Sequence, residues 1–264
     1  MLKYAPHDED LATLAARFEE VDPIEILRWA VRTYAPDAAL TCSFQHEGVV
    51  LAHMLQSVAP ETPIVFINTG YHFPETLAYR DLLVERYHFN LIEVGPAVSK
   101  EDVERQHGPE LFRNDPDRCC EINKEDVERA HGPELFRHDP DRCCEINKVE
   151  PLRRALRGVR AWINGRRRDQ AATRHTLPIL EELPNGIVKI NPLVRWAAKD
   201  TYEYMTRYEL PMNPLFEQGY TSIGCAPCTR PVLAGEDERA GRWAGRTKIE
   251  CGIHTAFNDP GRDI

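Results

Sequence analysis

The sequence contains no long apolar run. Its first residues, MLKYAPHDEDLATLAARFEE, are interrupted by charge every few positions, so no secretory leader is read there. No later stretch approaches the ~20 consecutive apolar residues of a membrane helix. A basic excess is also missing, because 33 Lys and Arg face 42 Asp and Glu for a formal net charge of −9. That balance excludes a general nucleic-acid binder, which carries a basic face. It still allows a local basic pocket, since net charge says nothing about distribution. The expectation is a cytoplasmic protein with neither nucleic acid nor membrane as a partner. In that compartment the eight cysteines (Cys42, Cys119, Cys120, Cys143, Cys144, Cys225, Cys228 and Cys251) read as metal ligands or redox groups rather than structural disulfides.

What is present most conspicuously is a tandem repeat. Glu101–Lys124 (EDVERQHGPELFRNDPDRCCEINK) runs directly into Glu125–Lys148 (EDVERAHGPELFRHDPDRCCEINK), and the copies differ only at Gln106/Ala130 and Asn114/His138. Two copies do not make a solenoid, which needs at least three stacked units. In each copy Asp-Pro (Asp115–Pro116, Asp139–Pro140) supplies an N-cap and a first-turn proline. The adjacent cysteines therefore fall in the first turn of a helix, where the dipole favours thiolates.

Around the repeat the pattern alternates between strand and helix. Two amphipathic helices occupy residues 8–34. Buried strands are expected at Ala38–Phe44, Pro63–Thr69, Asn90–Gly95, Val159–Asn164 and Gly186–Ile190, with helices at Glu47–Leu55 and Pro74–Arg86. This alternation predicts an α/β fold, a doubly wound and mostly parallel Rossmann-like sheet with ligands at the carboxyl ends of its strands. The 264 residues are read as one domain: N-terminal helices over 1–36, the repeat copies over 101–124 and 125–148, and a mobile cysteine-bearing tail over 235–264. A homo-oligomer is compatible with the sequence.

Cys225-Ala226-Pro227-Cys228 sits in a Gly/Pro turn and makes four thiols with one Cys-Cys pair. A structural zinc prefers C-x2-C spacing on both sides, and a redox C-x-x-C would leave the adjacent pair unexplained. A four-cysteine iron–sulfur cluster tolerates the irregular spacing and ranks ahead of zinc. Cys251, in KIECGIH with Lys248 and His254 nearby, is a candidate nucleophile of lowered pKa, set against the plain alternative of an exposed tail thiol. Cys42 reads as a small core residue. Three groups end strands on one edge and could hold an anionic nucleotide: Ser43-Phe44-Gln45, Asn68-Thr69-Gly70, and the arginines of Gly165-Arg166-Arg167-Arg168.

Together the segments INTGYHFPETLAYRD, CCEINKVEPLRRAL, AWINGRRRDQAATR, PMNPLFEQGYTSIGCAPCTRPV, GEDERAGRW and KIECGIH resemble the assimilatory adenylyl-sulfate (APS) reductases, in the wider family that includes phosphoadenylyl-sulfate (PAPS) reductases. The resemblance runs from about residue 40 to residue 254. It implies an adenine-nucleotide hydrolase-like fold, a [4Fe-4S] cluster on Cys-Cys plus C-x-x-C, and Cys251 as nucleophile. It places His254, Arg239, Arg242 and the lysine after the pair (Lys148, or Lys124 in the first copy) near the phosphosulfate. Arg167 and Arg168 are carried with Ser43, Phe44, Gln45, Asn68, Thr69 and Gly70 as substrate-binding residues. The implied activity is thioredoxin-dependent reduction of APS to sulfite and AMP through an enzyme S-sulfocysteine, in sulfate assimilation and cysteine biosynthesis.

The family pattern CC-x3-K-V-x-P-L is completed only by the second copy, which runs into Val149-Glu150-Pro151-Leu152. Cys143 and Cys144 are therefore the expected cluster ligands, with Cys119 and Cys120 as the alternate pair. The near-identity of the copies suggests a recent or engineered duplication. Competing functions are a PAPS reductase, an ATP-using tRNA thiolase-like enzyme, and a non-catalytic iron–sulfur or zinc module. The thiolase would want an S-G-G-x-D-S loop after the first strand, where this chain has Ser43-Phe44-Gln45-His46-Glu47-Gly48.

Overall fold

The computed structural model describes residues 10–96, 131–132, 134–246, 248, 250–255 and 257. The first repeat copy, with Cys119, Cys120 and Lys124, lies outside the described residues, as do 125–130 and 258–264 of the second copy and the tail.

Two capped helices open the structure. In α1 (Leu11–Phe18) the Asp10 carboxylate accepts from the N–H groups of Ala12 and Thr13 at 3.0 Å each, and in α2 (Pro23–Tyr34) Asp22 accepts from Ile24 at 3.0 Å, with Pro23 in the first turn. Strand β1 (Ala38–Thr41) leads to α3 (His46–Val58), β2 (Ile64–Ile67) to α4 (Pro74–Tyr87), and β3 (Leu91–Val94) closes this half of the sheet. The second repeat copy contributes α5 (Leu135–His138) and α6 (Pro140–Cys144), a π-turn over Glu145–Val149, and α7 (Glu150–Ala155). Strands β4 (Ala161–Ile163), β5 (Leu180–Glu182) and β6 (Val188–Ile190) and helix α8 (Ala198–Arg207) follow.

The sheet order is β3-β2-β1-β4-β6-β5, with every pairing parallel except β5 against β6. A mostly parallel sheet is what the alternating pattern predicts. The three-residue β5 is not among the expected strands, because a strand that short has no readable period, and the five expected strands are each two or three residues shorter than the sequence suggests. The π-turn is likewise invisible to periodicity.

Alternate strand residues serve opposite faces. Ala38, Leu40, Ile64, Phe66, Ala161, Ile163, Val188 and Ile190 join a large core with α1–α4 and α8. Ala39, Val65 and Trp162 face the other way, into a smaller cluster with Val149, Leu152 and Leu156 around α7. Lys189 is the residue of β6 between the two inward-facing apolar ones, and it is fully buried. Among the described residues, no helix is long and apolar enough to cross a membrane.

Candidate functional site

The carboxyl ends of β1, β2 and β4 open into a cleft of about 1160 Å³. Crossover connections leave the two halves of the sheet diverging at β1 and β4, which is where such sheets bind ligands. After β1 the chain turns sharply at Phe44, which adopts φ 55°, with its N–H on Cys42 Sγ at 3.3 Å. That turn aims Ser43 and Gln45 at the cleft and sends the Phe44 ring down into the core against Phe66 at 5.6 Å. Phe44 therefore packs the core instead of lining the cleft as expected. Cys42 lies beneath it, buried, its thiol pushed up to about 12 by loss of solvation.

Two missing side chains let α3 seat on the strand ends. A Cβ at Gly48 would meet Cys42 Sγ at 2.7 Å, and one at Gly165 would meet Glu47 Cβ at 2.8 Å. The first turn of α3 is thereby held against the cleft, with its unpaired N–H groups near where an anion would sit.

After β2, Asn68 is spent on structure. Its carbonyl oxygen accepts from Gly70 N at 2.9 Å and its amide donates to Glu93 at 2.9 Å. Gly70 (φ 70°) completes the turn, and of this trio only Thr69 reaches the cleft, with its hydroxyl 3.3 Å from Cys225 Sγ.

The arginine run after β4 divides. Arg166 and, further on, Arg174 line the cleft. Arg167 turns away into a buried network with Glu47 (2.8 Å), Asp169 (2.6 Å) and Glu238 (2.9 Å), and Arg168 pairs with Glu19 and the Leu177 carbonyl. Arg167 and Arg168, expected at the substrate, thus stand outside this cleft. Three carboxylates already satisfy Arg167, and Arg168 is bonded to α1's end and a loop. Arg167 instead lines a separate cavity with His46, Tyr202 and Glu238.

From the C-terminal third come Arg239 and Arg242. The Arg242 guanidinium lies so close over Gly224 that a Cβ there would sit 2.2 Å from it. The cleft carries five cations (Lys148, Arg166, Arg174, Arg239 and Arg242) against two carboxylates, Glu47 and Glu250. Burial draws Arg166 and Arg239 down to about 10, still charged at neutral pH. The cleft is thus locally basic in a protein whose net charge is −9.

The tail crosses this cleft. Glu250 spans Arg174 (2.8 Å) and Arg239 (3.1 Å), and half-buried Cys251 lies on the cleft wall. His254 also lines it, and burial, followed by the charge of Arg166, holds its imidazole well below its usual pKa, so the ring is neutral. Lys148 is buried in the π-turn and lines both this cleft and a second cavity. Burial alone would lower its pKa, but Cys225, Cys251 and Cys144 outweigh that and raise it.

The second cavity, about 310 Å³, is lined by Cys143, Cys144, Cys225 and Cys228, with Tyr71, Phe136 and Pro227. Asp139 caps α6 as the sequence predicts, accepting from Arg142 N at 2.9 Å. Burial pushes the Cys143 and Cys144 thiols up to about 12 and 11, whereas at Cys225 burial is overcome by Lys148 and the Thr69 hydroxyl, which lower its pKa. Among the described residues no group of three His, Cys, Asp or Glu is gathered tightly enough for a single metal ion. One zinc at Zn–S of about 2.3 Å would pull the sulfurs to within ~4 Å of one another. Four thiols lining one pocket are an all-thiolate donor set of the kind that suits an iron–sulfur cluster.

A model of the phosphoadenosine phosphosulfate reductase domain matches residues 37–131 and 125–231. An adenosine 5'-phosphosulfate reductase of Streptomyces coelicolor is 40% identical over 251 residues, 93% of this chain and 95% of that protein. A phosphoadenosine 5'-phosphosulfate reductase of Gloeobacter violaceus is 39% identical over 248 residues, covering 92% and 93%. Among solved structures, the PAPS reductase from Candida auris in its phosphate complex superposes with a TM-score of 0.67 at 30% identity, over 85% of this chain and 98% of that one.

Proposed function

Because the chain belongs to the phosphoadenosine phosphosulfate reductase family, we propose that it is an oxidoreductase that reduces adenylyl sulfate to sulfite and AMP for sulfate assimilation. The observation that carries this reading is Cys251 on the wall of a five-cation cleft at the strand ends. The phosphosulfate lies among Arg166, Arg174, Arg239 and Arg242, with the nucleoside toward Ser43, Gln45 and Gly165.

The Cys251 thiolate attacks the sulfate sulfur, forming Cys–S–SO3⁻, and the S–O bond to AMP breaks with the electron pair leaving on the phosphate. Fixed guanidinium and ammonium groups offset the charge moving onto that oxygen and hold the thiolate sulfur, the sulfate sulfur and the leaving oxygen in line. Lys148 serves both the nucleophile and the departing anion. Neutral His254 supplies hydrogen bonding beside them. A thiol of reduced thioredoxin then attacks Cys251 Sγ and releases sulfite, and its second thiol resolves the mixed disulfide, so thioredoxin carries both electrons. The tail must leave the cleft for that step.

Cys143, Cys144, Cys225 and Cys228 hold a [4Fe-4S] cluster in this reading, supported by their shared cavity and the all-thiolate donor set. When bound, the cluster supplies local order and a fixed electrostatic field beside Lys148. The whole chain acts as one domain, with the second repeat copy as the ligand-bearing one. The test is anaerobic incubation with adenylyl sulfate followed by mass spectrometry. A sulfonate adduct on Cys251 is expected, and active protein without it would overturn the mechanism. Use of the 3'-phosphorylated nucleotide is the second reading, favoured by the Gloeobacter relative. Comparative turnover of the two nucleotides decides between them.

A further inference from the structure

The tail is held at two places, one on either side of Cys251. Upstream, Glu250 sits between Arg174 and Arg239. A phosphosulfate needs those same guanidinium groups, so this anchor competes with substrate. Downstream, Lys189 Nζ donates to the His254 carbonyl at 2.8 Å. Lys189 and Trp162 are register partners on β6 and β4, so they stand side by side on one face of the sheet, with the ammonium 4.6 Å from the indole centroid. The indole is fixed by Nε1 donating to Thr41 Oγ1 at 2.8 Å. It stacks on His254 (5.8 Å, 21°) and meets Phe257 edge-on (6.0 Å, 73°), while Ile253 packs on the same cluster. Neither Lys189 nor Trp162 lines the cleft.

Resting on the reading of Cys251 as nucleophile, the geometry points to Lys189 and Trp162 as positioning residues that hold the tail in place for the first chemical step. They form the anchor that survives when substrate displaces Glu250 from its arginines. A buried ammonium is a costly choice at this position. Its neighbours on the same sheet face are Ala39, Val65 and Trp162, and its nearest carboxylate, Glu181, is 3.9 Å away. Burial, then Arg166, draws it down to about 7. An apolar residue would satisfy the fold at least as well, as with other buried ions replaced by hydrophobic side chains. What Met at this position could not do is donate to a tail carbonyl.

Because the two half-reactions need opposite tail positions, the anchor acts on only one of them. In K189M, single-turnover sulfonation of Cys251 by adenylyl sulfate is expected to slow by about tenfold to a hundredfold, the effect of a small misplacement of a reacting group. Discharge of pre-formed S-sulfo-Cys251 by reduced thioredoxin should be unchanged or faster. Affinity for the nucleotide should hold, and hydrogen exchange over 250–257 should accelerate. F257A, altered outside the core, should show the same split more weakly and guards against a folding defect in K189M. Equal sulfonation rates in wild type and both variants would overturn the proposal, as would equal slowing of both half-reactions, which marks general damage. Absence of any adduct in the wild type would instead overturn the reading of Cys251 itself, whereas tail exchange still reports whether Lys189 and Trp162 anchor the tail.

Discussion

The two faces of the sheet are packed by different chemistry. One face buries alternate strand residues under α1–α4 and α8, with Leu40, Phe66, Ile163 and Ile190 all fully covered by aliphatic or aromatic neighbours. The other is covered by α7 and the tail, and its strand residues are mixed: Ala39 and Val65, but also Trp162, whose indole N–H is hydrogen-bonded, and Lys189. An all-apolar interface is non-directional and stays shut. An interface held by an ammonium–carbonyl bond and one aromatic stack can reopen, because each polar group regains water on release. Cys251, the proposed nucleophile, hangs from the second kind.

The comparison breaks most severely at the residue that the reopening face delivers. Cys251→Ser is expected to remove sulfonation altogether, with loss of turnover of at least about a thousandfold, read by a coupled sulfite assay and by intact mass. Next in size is the cysteine cavity behind Lys148. Cys143→Ser with Cys144→Ser should abolish iron incorporation, measured by metal analysis and the visible absorption band, while the same exchange at Cys119 and Cys120 spares it. Retained iron in the first variant would remove the second copy from the ligand set.

The permanent face should register in stability. Leu40→Ala, leaving a cavity among helices that cannot close in, is expected to cost about 2–5 kcal/mol in urea unfolding. Phe257→Ala, on the docking face, should cost under about 1 kcal/mol, since the residue is only partly buried and the tail can leave. Comparable losses at the two sites would erase the distinction.

An effect of similarly small size is one of pH. Lys189 titrates near 7 in the fold because of burial and near ~10.4 when unfolded. Between those values the unfolded chain binds a proton that the native chain has lost, so stability rises with pH there. The contribution is fully present above the unfolded pKa and lost as pH falls through 7. Denaturation midpoints of wild type relative to Lys189→Met should therefore climb between pH 7 and 8, by on the order of 1 kcal/mol. A flat difference would mean that the ammonium is not desolvated.

Several parts of the site were legible without coordinates because their signal is local. The cap-and-proline pair at Asp139–Pro140, the C-x-x-C turn and the strand-end Ser43, Gln45 and Thr69 all follow from near neighbours in sequence. Arg239, Arg242 and Lys148 were named through family resemblance, Cys251 with His254 beside it already from its own sequence context, and all five line the cleft. Arg166 and Arg174 belong to the same basic segment, yet the resemblance put the substrate-binding role on Arg167 and Arg168, which do not line the cleft. In a run of three arginines only the local backbone decides which side chain turns inward, and Arg167 was claimed by Glu47 and Glu238, distant in sequence. Lys189 had one available signal, a charge in the centre of an otherwise apolar strand, and nothing local to say what it was for.

Periodicity and composition by themselves determined the alternating sheet, the soluble-type charge balance and the set of thiols available for a cluster, since each depends on residues within a few positions or on simple counts. Tertiary structure alone decided which arginines line the cleft, that four separated cysteines share one cavity, that a π-turn sets Lys148 between that cavity and the cleft, and that a buried lysine meets a tail carbonyl. The physical reason is common to all four. Each depends on contacts between chain segments far apart in sequence, and a charge or thiol acquires its role only when folding brings its partner within reach.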